Sequence, residues 1–203
     1  MKKSDFDPKH QNQTTESKIV ASLEKISQAF RVLLWQESRE YSLSPIQVQV
    51  LIFLLHHSEE KRKVSYLAGE FNMTKATISD TVKTLDQKGL IEKAYEPNDT
   101  RNYVIHLTER GREMAEKTSH FTRELHTPID KLHAEDKENL LLSLLNIIRH
   151  LNRAGVITVP RMCMTCTYYR SSENGQKHFC KLLNQHLQVT DLRIDCPEHK
   201  LKV

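Results

Sequence analysis

The sequence predicts a mainly α-helical protein with one small β-hairpin, and three observations support this fold class. Only 5 of the 203 residues are glycine, which is few for a turn-rich β-protein. Apolar residues at helical spacing mark a long first helix: Ile19, Leu23, Ile26, Phe30 and Leu33. Two short runs of strand-forming residues, Leu90-Ile91 and Tyr103 to Leu107, flank turn residues at 96–99 and predict the hairpin.

Charge and hydropathy limit the classes of protein that fit. The 30 basic and 26 acidic residues give a net charge of +4, which permits binding to nucleic acid without requiring it. No run approaches the roughly 18 consecutive apolar residues of a membrane span, and the start of the chain lacks the apolar centre of a secretion signal. We therefore expect a cytoplasmic protein without membrane contact. In that reducing compartment, clustered cysteines are more often metal ligands or redox groups than disulfides.

The first part of the chain divides into a tail and two helices. Residues 1–15 are polar and lack apolar periodicity, so we predict a mobile tail. The first helix follows it and carries one apolar face that needs a partner. Ser44-Pro45 is a typical helix start, and the apolar run Ile46 to Leu55 continues this second helix. We interpret His56-His57 as its solvated C-terminal end, where the helix dipole favours cations.

Two further helices, joined by a tight turn, follow a charged loop. The first spans about residues 65–71, Asn72-Met73 make the turn, and Thr74 caps a second helix that Gly89 ends. The second helix has an apolar inward face: Ile78, Val82 and Leu85. Its polar residues suit a helix that reads DNA in the major groove: Thr74, Lys75, Thr77, Ser79, Asp80 and Lys83. An ordinary solvated helix face would show the same pattern.

The predicted hairpin adds a second candidate contact with DNA. Arg101 lies just past the turn, where a long cation can enter a minor groove beside the major-groove helix. Between residues 61 and 112 the basic residues outnumber the acidic residues by ten to seven. A modest positive charge therefore lies where DNA contact is predicted.

The hairpin carries a specific motif, Asp99-x-Arg101-x-x-x-Ile105-x-Leu107-Thr108-x-x-Gly111, preceded by Leu85-x-x-Lys88-Gly89-Leu90-Ile91. These residues resemble the multiple-antibiotic-resistance regulator (MarR) family of winged helix-turn-helix repressors. The helix entry Leu43-Ser44-Pro45-Ile46-Gln47 is similar to that family as well. The resemblance covers roughly residues 16–153.

The resemblance implies a homodimer bound to double-stranded DNA. The first helix and the last two helices of each chain would interlock, and the two winged helices would enter successive major grooves. The operator would then be a near-palindrome with half-sites about 34 Å apart. The resemblance also implies a small-molecule effector bound between the dimer helices and the winged helix, although no residue identifies that effector.

The helices after the hairpin fit this arrangement. Thr108 caps a polar helix that runs to about Leu125, Pro128 breaks it, and a last helix runs from Ala134 to about Asn152. The last helix is rich in apolar residues: Leu140, Leu141, Leu144, Leu145, Ile147, Ile148 and Leu151. Such a surface at the end of a small domain favours a partner chain over burial within the monomer.

Residues 160–203 form an appended part that departs from the resembled family, and we call it the cysteine module. It contains all 4 cysteines of the chain: Cys163, Cys166, Cys180 and Cys196. A CxxC turn brings two thiolates to one ion, and two later cysteines can complete a tetrahedral site, with His178 and His199 as reserve ligands. Structural zinc is the leading prediction. An iron–sulfur cluster and metal-free thiols, including a thiol–disulfide switch, remain alternatives.

We therefore predict a sequence-specific DNA-binding regulator, a repressor, whose four-cysteine metal site stabilises the protein or senses metal, redox state or oxygen. The sequence shows no nucleotide-binding glycine loop, nucleophile elbow or clustered acid pair, so we do not expect an enzyme. The alternative is a redox or adaptor protein that uses the winged helix to bind another protein.

Overall fold

The structure is a computed structural model that describes residues 4–96, 99–172 and 177–202, and the side chains of residues 96 and 99–101 lie outside that description. The helices are α1 (Pro8–Gln11), α2 (Thr15–Glu40), α3 (Pro45–His56), α4 (Val64–Glu70), α5 (Lys75–Gln87), α6 (Glu109–Thr118), α7 (Arg123–Asp130) and α8 (Ala134–Arg153). The strands are β1 (Ile91–Glu96), β2 (Asp99–Leu107), β3 (Tyr169–Ser171), β4 (His178–Cys180) and β5 (Gln185–Leu187). Across the described ranges, no helix has the length and apolar character needed to cross a membrane.

The N-terminus contains more helix than the sequence predicts. Asp7 accepts a hydrogen bond from the Lys9 amide, and Pro8 occupies the first helical position, so residues 8–11 form one helical turn instead of a featureless tail. Thr14 then caps α2. Leu34, which lies beside the predicted apolar stripe, is buried as expected, but the other buried residues of α2 lie outside the stripe: Ser17, Ala21 and Ser38.

Helix α3 forms the centre of the main apolar core. The Ser44 side chain accepts a hydrogen bond from the Gln47 amide, and the Gln47 side chain accepts one from the Ser44 amide, so α3 begins with a capping box as its sequence predicts. Four side chains of α3 have 0% exposure: Val48, Val50, Leu51 and Leu54. Neighbouring elements complete the core, including the predicted inward face of α5: Leu67, Ile78, Val82, Leu85 and Ile105.

Strands β1 and β2 form an antiparallel hairpin that is longer than the two predicted strands. The register pairs Ile91 with Leu107 at the base of the hairpin. The Ile105 amide donates to the Arg62 carbonyl at 2.9 Å, so the charged loop after α3 extends the edge of the sheet. The predicted turn residues Pro97-Asn98 lie outside the described residues.

A close backbone approach joins the hairpin to α6. Thr108 caps α6 by accepting a hydrogen bond from the Gly111 amide at 3.0 Å, and its hydroxyl donates to the Gly89 carbonyl at 2.8 Å. A Cβ atom at Gly111 would lie 1.8 Å from the Leu90 carbonyl oxygen, so only glycine fits this position. Gly89 has a φ of +66°, the left-handed conformation expected of the residue that ends α5.

The helices after the hairpin divide differently from the prediction. Helix α6 ends at Thr118 rather than near residue 125, and Pro128 lies inside α7 instead of breaking a helix. The hydroxyls of Thr118 and Ser119 donate to backbone carbonyls of the preceding turn, which satisfies acceptors at the end of α6. Helix α8 begins where the sequence predicts and ends within one residue of the prediction.

The cysteine module packs against α8 and contains a three-stranded antiparallel sheet in the order β3-β4-β5. A second apolar cluster joins the module to the helix: Leu145, Met162, Leu187 and Leu192. Leu145 of α8 is therefore buried by its own chain, whereas Leu140 and Ile147 remain exposed. The apolar surface that the sequence assigned to a partner chain is thus divided, because the module covers part of it.

Replacing Gly111 by Ala is expected to lower the free energy of unfolding by about 1–3 kcal/mol. The added methyl group would overlap the Leu90 carbonyl, which belongs to the backbone and cannot rotate away. Gly69→Ala is the matched control, because a Cβ there meets only the side chain of Val159, at 3.3 Å. Urea unfolding followed by circular dichroism measures both variants. A Gly111→Ala variant as stable as the wild type would contradict the close approach.

Candidate nucleic-acid interface and cysteine site

Helix α5 presents the polar face expected of a helix that reads DNA. The Thr74 hydroxyl accepts a hydrogen bond from the Thr77 amide at 3.1 Å and lies 2.8 Å from the Thr77 hydroxyl, which fixes the first turn. The predicted contact residues are all exposed: Thr74, Lys75, Thr77, Ser79, Asp80 and Lys83. The structure therefore brings this set together on the outer surface of one helix.

A shallow groove of about 290 Å³ runs between α5 and the hairpin. Lys75 and Ser79 line it from α5. Sequence reasoning missed the remaining lining residues, which come from the start of α4 and from β2: Lys63, Val64, Ser65, Asn102 and Tyr103. The start of α4 and strand β2 are distant in sequence, so their proximity in the groove could not be predicted. The positive charge of Lys63 was the one feature of these residues that indicated contact with DNA.

Arg101 lies in β2, but its side chain is outside the described part of the structure, so its contact with DNA stays a prediction. The base of the hairpin is well defined. Lys93 Nζ lies 2.7 Å from a carboxylate oxygen of Asp86 on α5 and 5.7 Å from the centre of the Tyr103 ring. The hydrogen bond to Asp86 raises the pKa of Lys93. These contacts attach the hairpin to α5.

One apolar surface on α2 is left uncovered by the chain itself. The stripe predicted for the first helix is exposed at three positions, with relative accessibilities of 49% for Ile19, 46% for Ile26 and 40% for Phe30. Helix α8 adds the exposed residues Leu140 and Ile147. Exposed apolar residues aligned in this way are typical of a contact surface.

The four cysteines converge on one small cavity. Cys163 and Cys166 flank a 3₁₀ turn, Cys180 ends β4, and Cys196 lies on the segment that returns beside the turn. All four are free thiols, and all four line a cavity of about 30 Å³. Other side chains complete its wall: Tyr168, Tyr169, Leu182, Leu187 and Glu198. The convergence predicted from cysteine spacing therefore appears in the fold.

Two donors are directed at the sulfur atoms. The Arg193 amide donates to Cys163 Sγ at 3.2 Å, and the Arg193 guanidinium lies 3.9 Å from Cys196 Sγ. Burial raises the pKa of Cys163, while the hydrogen bond from the Arg193 amide acts in the opposite direction. Among the residues that the structure describes, no group of three or more Cys, His, Asp or Glu side chains is arranged to hold a metal ion. The metal itself therefore stays a prediction.

The two reserve ligands lie outside this cavity. His178 is 3% exposed, its Nδ1 lies 2.7 Å from the Tyr169 hydroxyl, and its Nε2 has no hydrogen-bond partner in the described part of the chain. His199 Nε2 lies 3.0 Å from the Thr165 hydroxyl. Burial lowers the pKa of His178 and of His199, which favours neutral rings. Neither ring is grouped with the cysteines.

A buried arginine joins the cysteine module to the helix-turn-helix, which sequence reasoning missed. The Arg161 side chain is 10% exposed and donates to Asp195 through Nε at 2.7 Å and Nη2 at 2.6 Å. It also donates to both carboxylate oxygens of Glu70 on α4 and to the Tyr66 hydroxyl. One guanidinium therefore bridges two carboxylates from distant parts of the chain. We call Arg161, Asp195, Glu70, Tyr66 and His57 the Arg161 network.

His57 belongs to the Arg161 network, so the prediction that it is a solvated helix end is wrong. Its Nε2 lies 2.8 Å from Asp195, its Nδ1 lies 2.9 Å from the Phe53 carbonyl, and its ring stacks on Phe53 at 3.8 Å. Both ring nitrogens therefore lie within hydrogen-bonding distance of oxygen atoms. The network also ionises Asp195: burial alone would raise its pKa, but hydrogen bonds from Arg161 and His57 lower it to about 2.

Comparison with known proteins shows that part of this chain is similar to a family of regulators. Residues 41–102 match the model of the MarR family. These residues form a MarR-type winged helix. The HTH-type transcriptional regulator BilQ of Clostridioides difficile (strain CD3) is 26% identical over 106 residues, which are 51% of this chain and 72% of BilQ. The uncharacterized HTH-type transcriptional regulator YdcH of Bacillus subtilis (strain 168) is 27% identical over 135 residues, which are 58% of this chain and 88% of YdcH.

Solved structures show the same MarR-type fold. The Staphylococcus aureus MepR–DNA complex superposes with a TM-score of 0.56 at 23% identity, covering 68% of this chain and 99% of the MepR chain. MepR in its DNA-binding conformation gives a TM-score of 0.57 at 22% identity, covering 66% of this chain and 98% of that chain. At these identities the likeness establishes the fold, which confirms the winged helix-turn-helix expected from the motif.

Replacing Thr74 by Ala is expected to lower the free energy of unfolding by about 0.5–2 kcal/mol. The change removes the side-chain oxygen that accepts the Thr77 amide at the start of α5. Thr74→Ser keeps that oxygen and serves as the control. Urea unfolding measures both variants. If Thr74→Ala and Thr74→Ser were equally stable, the N-cap of α5 would contribute nothing.

Proposed function

We propose that the protein is a sequence-specific DNA-binding transcription regulator that acts as a homodimeric repressor. The observation that carries this proposal is the exposed polar face of α5, which lies beside the hairpin of a MarR-type winged helix. MepR, which shares the fold, has been solved in complex with DNA. That complex supports the same role for the winged helix of this chain.

Helix α5 supplies groups for both kinds of DNA contact. Lys75 and Lys83 carry charges that attract phosphates, and these contacts set position and affinity. The hydroxyls of Thr77 and Ser79 can donate to or accept from base edges in the major groove. Asp80 is an acceptor that suits the amino group of cytosine and is repelled by phosphate. The face therefore combines affinity with sequence discrimination.

The hairpin extends this contact to the adjacent groove. We propose that Arg101 enters the minor groove while α5 occupies the major groove. The salt bridge between Lys93 and Asp86 supports this proposal, because it holds the base of the hairpin against α5. The two reading elements would then dock as one unit.

The proposed homodimer explains the apolar surface that the chain leaves uncovered. Ile19, Ile26 and Phe30 lie on one side of α2, and Leu140 and Ile147 are exposed on α8. A second copy would bury both helices by presenting the same surfaces in return, as a two-fold interface requires. Such a dimer would carry two α5 helices to the two halves of a near-palindromic operator.

A dimer bound to its operator would repress transcription by excluding other proteins from that DNA, and this requires no catalysed reaction. The related BilQ and YdcH are named as transcriptional regulators, in agreement with the prediction that this chain is not an enzyme. We retain a cytoplasmic location and a small-molecule effector between the dimer helices and the winged helix as parts of the proposal.

Replacing Lys83 by Ala is expected to weaken DNA binding roughly tenfold and to reduce the salt dependence of binding by about one charge, because one phosphate contact is lost. The probe is DNA selected from a random pool by the wild-type protein, and fluorescence anisotropy over a salt series measures affinity. Arg101→Ala tests the hairpin in the same assay. Lys25→Ala, on α2, is the control. Unchanged DNA affinity of both Lys83→Ala and Arg101→Ala would contradict the proposal. A wild-type DNA affinity that depends on neither salt concentration nor DNA sequence would also contradict it and would favour a protein-binding adaptor.

Replacing Phe30 by Glu is expected to convert the dimer to a monomer, because a charge would have to be buried in the apolar interface without a partner. Sedimentation velocity at micromolar concentration measures the state of assembly. Gln36→Glu adds the same charge to α2 without removing apolar surface, and it should remain dimeric. A monomeric wild type, or a Phe30→Glu variant that still dimerises, would contradict the proposed interface.

A further inference from the structure

We propose that the four cysteines of the cysteine module bind one zinc ion, and that this ion holds the module on the helix-turn-helix through the Arg161 network. The first part of the proposal stands on the module alone. The second part rests on the proposed function, because it gives the ion a role in positioning the DNA-reading domain.

The backbone already brings the four residues to one place. Cys166 donates its amide to the Cys163 carbonyl at 2.9 Å, which closes the CxxC turn. Cys180 pairs with Tyr169 in the sheet, and Cys196 donates its amide to the Arg161 carbonyl at 2.9 Å. All four thiols line the same cavity. Rotation of a cysteine side chain between staggered rotamers moves its sulfur without moving the backbone, so an ion can gather the thiols.

The described residues of the module provide only a small core and short strands. Its strands are 3 residues long, and its cysteines form no disulfide. Apart from Cys166, the buried apolar side chains in the described part of the module are Met162, Leu187 and Leu192. Segments of this size need a metal, a disulfide or a larger partner to offset the entropy of folding. Cys166 is buried and the other three cysteines are half-buried, so the thiols are partly shielded from water.

Two nitrogen donors lie where they can offset the negative charge of metal-bound thiolates. A thiol is a weak hydrogen-bond acceptor, whereas a thiolate is a strong one. The Arg193 amide nevertheless points at Cys163 Sγ, and the Arg193 guanidinium approaches Cys196 Sγ. Zinc binding would release the thiol protons to solvent and leave four thiolates around one doubly charged ion. Arg193 would then offset part of the remaining negative charge.

The cavity is more suited to a single ion than to an iron–sulfur cluster. At about 30 Å³ it holds one small occupant. A cluster would have to accommodate several iron and sulfide ions inside the ring of cysteines. His178 and His199 do not line the cavity, whereas all four cysteines do. Tetrahedral thiolate sites of this composition are typical of structural zinc.

The ion would fix the Arg161 network, because two residues of the network are close in sequence to two of the proposed zinc ligands. Asp195 immediately precedes Cys196, and Arg161 lies two residues before Cys163. An isolated β-bridge pairs Arg161 with Asp195, so the two segments that carry these ligands also run side by side. Closing the site would therefore set the positions from which Arg161 and Asp195 contact the winged helix.

The contacts of the network fall on the helices that precede α5. Arg161 binds Glu70 on α4, and Asp195 binds His57 at the end of α3. The Thr158 hydroxyl adds a hydrogen bond to the Gly69 carbonyl at 2.6 Å. Helix α4 and α5 together form the helix-turn-helix, so loss of the ion would loosen the support behind the recognition helix.

Metal content tests the first part, with full-length protein purified without added metal. We expect one zinc per chain by mass spectrometry, loss of that zinc in Cys180→Ser, and retention in His199→Gln. Cobalt added to the chelator-treated protein should give the intense visible absorption of a tetrahedral thiolate site. Iron and sulfide with broad visible absorption would overturn the choice of zinc. Four titratable thiols with no uptake of zinc or cobalt would overturn the site.

Hydrogen–deuterium exchange tests the second part without DNA, so its outcome is independent of the proposed regulator function. Removing zinc from the wild type should speed exchange in residues 161–202 and in α4 (Val64–Glu70) about tenfold, and returning zinc should reverse both effects. Arg161→Lys keeps the charge but loses the bidentate geometry. It should retain zinc and speed exchange only in α4, whereas the control Arg170→Lys should change neither. Unchanged exchange in α4 after zinc removal would overturn the coupling.

Discussion

The burial of most of α3 is the constraint on which the rest of the winged helix depends. Val48, Val50, Leu51 and Leu54 have no exposed surface, although they point in different directions around the helix. Helices α2, α5 and α6 and strand β2 each pack against α3 and cover part of it. Because these neighbours are fixed by one central helix, the distance between α5 and the hairpin is fixed as well.

The connection between the two apolar cores has a different physical character. The cluster under the cysteine module is small, and the main contacts that link it to the winged helix are directional hydrogen bonds and ion pairs. Arg161 satisfies Glu70 and Asp195 at once, and the planar guanidinium permits few alternative arrangements. An apolar contact of the same area would tolerate sliding. The junction therefore specifies orientation more strongly than it adds stability.

The sequence predicts those features of the fold that are encoded locally. The caps at Ser44, Thr74 and Thr108, and the helix stop at Gly89, depend on residues within a few positions of one another, and all are confirmed. His57 was misassigned because its partner Asp195 is 138 residues away. The break at Pro128 was misassigned because α6 already ends at Thr118, and Pro128 lies inside the separate helix α7. Cysteine spacing indicated the shared cavity, but spacing carries no information on which ion, if any, occupies it.

Helix α8 has two apolar sides, one covered and one exposed. Leu145 lies under the cysteine module, whereas Leu140 and Ile147 are exposed. The module thus shields part of a helix that, in a shorter protein of the same fold, would have to be polar or covered by another chain. A version of this protein cut after residue 153 would expose Leu145 and the apolar residues beside it. Such a fragment would aggregate more readily than the whole protein, because the cysteine module covers apolar surface of α8 that the fragment would expose to water.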